Sequence, residues 1–177
     1  DPDAADREAA AEVDALIREA RGQLDQIAAA NDAIADPALS RQIEDIEATC
    51  RLILQRLEEQ PNMLSQLRTF LRYYLPATLK LLSARAALES EVSAGQSADI
   101  AARIAKAVEQ VQSAFHKQLD ALNEFRFINL ESEMDVLADM LKSDGLTAEP
   151  DAPAAAEAEA PQADDPFASL FAKGEKK

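Results

Sequence analysis

Catalysis needs convergent groups, and this chain supplies few candidates. Histidine occurs once, at His116, and cysteine once, at Cys50. A zinc site built on His and Cys needs several such ligands. A carboxylate di-metal site in a helical bundle needs Glu-x-x-His on two helices, whereas His116 follows Gln112 and Ser113. Cys50 and His116 as nucleophile and base would lack the third group that orients such a pair. No GxGxxG, GxxxxGK[ST], HExxH or GxSxG pattern occurs, so no phosphate-cradling loop, helical zinc pair or strained serine turn is encoded. The acid pairs Glu58-Glu59 and Asp164-Asp165 read as solvated. No metal and no cofactor is implied, and no catalytic residue is assigned.

One segment does concentrate chemistry-bearing side chains. Residues 61–89 carry Arg68, Arg72, Lys80 and Arg85 against Glu89 alone, within a chain of net charge −15. Residues 1–36 carry ten acids against Arg7, Arg18 and Arg21. Two readings stand open. The cations complement acidic helices of the same chain, or Arg68, Arg72, Tyr73 and Lys80 form an anion- or partner-binding strip. The overall charge speaks against nucleic acid, a polyanion, and against direct adsorption to an anionic membrane. A protein partner or self-association is the expected interaction. With no apolar run of membrane-spanning length, membrane attachment is expected only through a segment upstream of Asp1, a start without Met that suggests a cropped or processed chain. The lone cysteine fits a reducing compartment.

Few glycines, no Trp and abundant Ala, Leu, Glu, Gln and Arg predict an all-α protein. The expected architecture is an elongated up-and-down bundle of about five helices with coiled-coil-like seams over residues 1–146, then a disordered acidic tail over 147–177. The first helix, about 3–35, has a seam at Val13, Ile17, Ala20, Leu24, Ile27, Asn31 and Ile34, stepping four and three in alternation. Asn31 either fixes register or marks fraying. Asp36-Pro37 starts a second helix to about Glu59, with a seam at Leu39, Ile43, Ile46, Cys50, Ile53 and Leu57. Cys50 reads there as a small buried hydrophobe. A third helix, about 62–92, is apolar on most sides near Phe70–Leu75 and should sit centrally, kinked near Tyr73–Pro76 by Pro76. After a turn at 93–97, a fourth helix, about 98–127, has a seam at Ile100, Ile104, Val108, Val111, Phe115, Leu119 and Leu122. A fifth, about 130–143, turns Leu130, Met134, Leu137 and Leu141 inward, and Gly145 stops it.

Beyond Thr147 the chain is Ala, Pro and acid, too poor in large apolar groups to offset the entropy of ordering. An island at 166–172 regains Phe167, Leu170 and Phe171, which share one side of a helix. It either docks on a partner groove or is an inert end.

LRTFLRYYLPATLKLL (67–82) and MDVLADMLKSDGL (134–146) together resemble the XpaC-like family, called 5-bromo-4-chloroindolyl phosphate hydrolysis proteins. The resemblance covers about 38–146. It departs at Ala77, where the family pattern has Thr, and near Ala84 and Arg85, where it has an aromatic. It implies structural roles for Phe70, Tyr74, Pro76 and Gly145 and carries no catalytic residue over. It also implies a bacterial protein with hydrophobic segments ahead of the helices, hence a cytoplasmic bundle at the inner face of a membrane. Three functions follow as expectations: a non-catalytic interaction module, a phosphoesterase using the basic third helix, and a stress-response scaffold of the tellurite-resistance kind.

Overall fold

The computed structural model describes residues 1–91 and 94–147. Among these residues the regular structure is helical and no strand occurs. The elements are α1 (Pro2–Asp32), α2 (Pro37–Glu59), α3 (Leu64–Thr69), a wide π turn (Phe70–Tyr74), α4 (Leu75–Ala87) and α5 (Ala94–Ser143). Both early helices start on an Asp-Pro pair. Asp1 accepts from the backbone N–H of Asp3, and Asp36 Oδ1 accepts from Ala38 at 3.0 Å and Leu39 at 3.4 Å. The acid satisfies backbone donors that a helix start leaves orphaned, while proline lacks the N–H that would have been unmet.

The chain divides into two units, one of Asp1–Ile128 and one that begins at Asn129. In the first, four rods alternate in direction. Arg21 meets Glu58 and Asn31 meets Ser40, so α1 and α2 are antiparallel. Glu12 meets Arg68 and Ala35 meets Glu89, so the α3–α4 rod runs with α1. Phe70 packs edge-on against Phe115 with centroids 4.7 Å apart, while Leu81 and Ile104 line one hollow, so α5 returns against that rod. The up-and-down order follows from short connections between long helices.

The seams form the core. Val13, Ile17, Ala20, Leu24, Ile27, Asn31 and Ile34 are all buried, as are Leu39, Ile43, Ile46, Cys50, Ile53 and Leu57. Each fully buried Leu or Ile contributes about 1.5–3 kcal/mol. Asn31 donates through Nδ2 to the carbonyl of Ser40 at 3.4 Å, tying the end of α1 to the start of α2. That contact favours the register role over fraying. In α5 the seam is tight at Ile104, Val108, Phe115 and Leu122 and open at Ile100.

Three expectations are corrected. The fourth and fifth helices are one: between Gly95 and Gly145 there is no Gly or Pro, and nothing breaks α5 near Phe127. It also begins at Ala94, within the stretch 93–97 that was expected as a turn. Leu130, Met134 and Leu137, expected to face inward, are 48–57% exposed. Gly145 does end the helix, at φ +68°. Leu146 N–H reaches Leu141 O at 2.8 Å and Gly145 N–H reaches Lys142 O at 3.1 Å, a glycine-terminated cap.

The kink expected at Pro76 takes the form of the π turn. In a regular α-helix the Pro76 ring would press on the carbonyl four residues back, that of Arg72. Here the step widens instead, with Leu75 N–H bonding to the carbonyl of Phe70, five residues back. The Thr78 hydroxyl then donates to the carbonyl of Tyr74 at 2.7 Å.

Candidate functional site

The cationic strip follows directly from this geometry. Arg68 lies in α3, Arg72 and Tyr73 in the π turn and Lys80 in α4. Arg68 and Arg72 converge on one acid of α1: Arg68 donates to both carboxylate oxygens of Glu12, and Arg72 reaches Glu12 Oε1 at 3.4 Å. All three side chains are partly exposed, so the cluster is a solvated clasp between helices, the kind of pairing worth about 1 kcal/mol or less. Lys80 is exposed and makes no ion pair among the described residues. Tyr73 is also exposed.

Arg85 works differently. It donates to Glu89 at 2.9 Å, and the same Glu89 oxygen accepts from the backbone N–H of Ala35 at 3.1 Å. The Ala35 N–H, and after it the Arg85 guanidinium, hold the Glu89 carboxyl below its usual range. Arg68, Arg72 and Arg85 are thus each paired with an acid, Lys80 alone makes no ion pair among the described residues, and the end of α4 pins the α1–α2 connection.

Beside the π turn lies a shallow slot of about 330 Å³, lined by Phe70, Tyr74, Ala77, Thr78, Leu81 and Phe115 among others. Its lining carries no charged side chain. Arg68, Arg72 and Lys80 do not reach it. Pro76 sets the turn that shapes the slot, Phe70 forms its floor and Tyr74 its rim, with Tyr74 57% exposed. Phe70 is buried, Pro76 follows the π turn and Gly145 ends α5, while Tyr74, within the Phe70–Leu75 stretch expected to sit centrally, stands largely in solvent. The reason is the wide turn, which rotates Tyr73 and Tyr74 away from the core that Phe70 and Leu71 enter.

Sequence reasoning missed one polar cluster. Asp45 of α2 accepts from Gln112 Nε2 at 2.7 Å and lies 2.6 Å from His116 Nε2, both on α5. The Gln112 hydrogen bond, and next the one with His116, hold the Asp45 carboxyl below its usual range. Asp45 adjoins seam residue Ile46 and Gln112 adjoins Val111, so the flanks of two facing seams meet here. That adjacency was the available signal. A His–carboxylate pair can orient a base, but no hydroxyl or thiol appears among the hydrogen-bond partners of His116. Cys50 is fully buried, and burial pushes its thiol up to about 12. Among the described residues no group of three His, Cys, Asp or Glu side chains could hold a metal ion.

The second unit offers a different surface. From Asn129 onward along α5, Leu130, Met134, Val136, Leu137 and Met140 are 48–59% exposed. Around them stand Glu131, Glu133, Asp135 and Asp139. No helix of the described residues is long and apolar enough to cross a membrane. Phe167, Leu170 and Phe171 lie outside the described residues.

No curated protein and no solved structure shows significant similarity to the chain. A family model described as 5-bromo-4-chloroindolyl phosphate hydrolysis protein matches residues 2–137. The match begins at the start of α1, so the acidic first helix is part of the family's region together with the FLRYYLP stretch. This span covers more than three quarters of the chain, and the chain belongs to the family of 5-bromo-4-chloroindolyl phosphate hydrolysis proteins.

Proposed function

We propose that the chain is a non-catalytic helical interaction module that docks a basic amphipathic helix of another protein on the C-terminal part of α5. The observation that carries this is the row Leu130, Met134 and Leu137, spaced like the core seams yet half exposed and bordered by acids. Apolar residues at such spacing form a groove-binding face for a partner helix. Exposed apolar patches of this kind mark interaction sites more often than they occur by chance. The acids add complementarity to a cationic partner and oppose an anionic lipid surface.

The family's name points to phosphate ester hydrolysis, and that second reading rests on Arg68, Arg72 and Lys80. What weighs against it is placement. Two of the three cations are engaged by Glu12, and the apolar slot beside the π turn is lined by no charged side chain. Assaying the purified chain against 5-bromo-4-chloroindolyl phosphate decides between the two. The module reading expects no turnover above buffer and no change in Arg72→Ala or Lys80→Ala. Enzyme-like turnover that either substitution abolishes would overturn it.

In this reading the bundle is the water-facing part of a membrane-associated protein, an extension that rests on the hydrophobic leading segments the family resemblance implies. Fractionation of cells expressing the natural full-length protein tests it, and recovery in the soluble fraction alone would count against it. A stress-response scaffold is the same module seen at the level of the cell, and the docking face serves it equally.

A further inference from the structure

The docking face proposed above has a candidate occupant within the same chain, and the inference rests on that reading of the face. Three Asp-Pro pairs occur in the sequence: Asp1-Pro2, Asp36-Pro37 and Asp165-Pro166. The first two each start a helix, with the aspartate capping it. The third immediately precedes Phe167, Leu170 and Phe171, whose spacing puts them on one side of a helical turn or two. After them come Lys173, Lys176 and Lys177 against Glu175, so that with Asp165 the segment Asp165–Lys177 carries three lysines against two acids, the lysines gathered at its end. Residues 129–146 of the face carry Glu131, Glu133, Asp135, Asp139 and Asp144 against Lys142. The two segments are complementary in both apolar pattern and charge. A second copy of α5 would instead bring five acids against five, which like-charge repulsion disfavours.

Reach is ample. Twenty steps separate Thr147 from Phe167, up to ~65 Å of chain at about 3.3 Å each. The face from Leu130 to Leu141 extends only ~17 Å at 1.5 Å per residue. We infer that the segment Asp165–Lys177 docks in cis on the Leu130, Met134, Leu137 and Leu141 face of α5, as an internal competitor for the partner helix. A partner then binds by displacing the tail, so its apparent affinity is lowered by the fraction of chains whose face is already covered.

Two methionines make the test direct. Met134 and Met140 lie on or beside the face. The full chain is prepared with carbon-13 methionine methyls and Ser169→Cys carrying a nitroxide, while buried Cys50 stays unlabelled. Docking in cis predicts that Met134 and Met140 lose most of their signal until the nitroxide is reduced, and that adding Phe167→Ala with Phe171→Ala restores it. Unchanged Met134 and Met140 signals overturn the proposal. Broadening only when nitroxide chains are mixed with separate methyl-labelled chains also overturns it, since the tail would then serve a second copy. A synthetic peptide of residues 163–177, added to the Phe167→Ala, Phe171→Ala chain, separates the two levels. If the peptide shifts Met134 and Met140 although the tethered tail does not, only the cis inference falls. If neither acts, the docking reading of the face falls with it.

Discussion

Two stretches of this chain use the same apolar spacing to opposite ends. On α2, Leu39, Ile43, Ile46, Cys50, Ile53 and Leu57 step four and three and are buried to a few per cent or less. On the later part of α5, Leu130, Met134, Leu137 and Leu141 step four, three and four, and the first three are about half exposed. Periodicity therefore reports that a helix has an apolar side and leaves open what covers it. In the first unit three other rods cover it. In the second, the helix continues from a packed segment without a new nucleation cost, so it needs no bundle of its own to remain helical.

The sharpest way to test that contrast is to remove one large side chain from each region. Phe70 is fully buried against Phe115, and Phe70→Ala should cost about 3–5 kcal/mol in urea unfolding. Leu137→Ala should stay within about 0.5 kcal/mol. A comparable loss at both sites would mean that the second face is core after all.

A smaller effect probes the π turn that carries Phe70 into the core. Thr78→Val removes the hydroxyl that donates to the Tyr74 carbonyl in a buried setting. A loss of about 1 kcal/mol is expected. No change would mean that the carbonyl finds another donor. Smaller still is the Arg72 clasp. Arg72→Ala should lose at most about 1 kcal/mol, with the difference shrinking as salt is added.

Acid titration distinguishes two carboxylates on α2. Asp45 is held below its usual range by Gln112 and His116. Its contribution is full above the ordinary aspartate value and is lost as pH falls through the depressed folded value. Asp45→Asn should therefore reduce stability at neutral pH and converge with the parent below about pH 4. Glu47, buried beside Arg51, is pushed up chiefly by desolvation. Protonation on acidification relieves that cost, so Glu47→Gln should differ from the parent most at neutral pH, in the stabilising direction. Unfolding midpoints of both variants between pH 3 and 7 check the opposite signs.

Much of the fold was legible. The seams of α1 and α2, the Asp36-Pro37 start, the stop at Gly145 and a distortion before Pro76 all follow from period, caps and proline sterics. The fourth and fifth helices were expected as two, although no Gly or Pro lies between Gly95 and Gly145 to part them. The candidate site was less legible. Arg68 and Arg72 were visible as a strip, but their shared partner Glu12 lies more than fifty residues away. The pairing of Asp45 with His116 depends on which seams face each other, which one chain's periodicity does not specify. The exposure of Tyr74 follows from a turn one residue wider than the pattern assumes.

The most direct test of the account compares polar substitution in the two regions. Leu130→Gln, Met134→Gln and Leu137→Gln together should leave the urea midpoint of the chain nearly unchanged while abolishing, in the Phe167→Ala, Phe171→Ala background, the Met140 response to the 163–177 peptide. Ile43→Gln and Ile46→Gln together should unfold it. A midpoint that falls as far in the α5 variant as in the α2 variant would contradict the account.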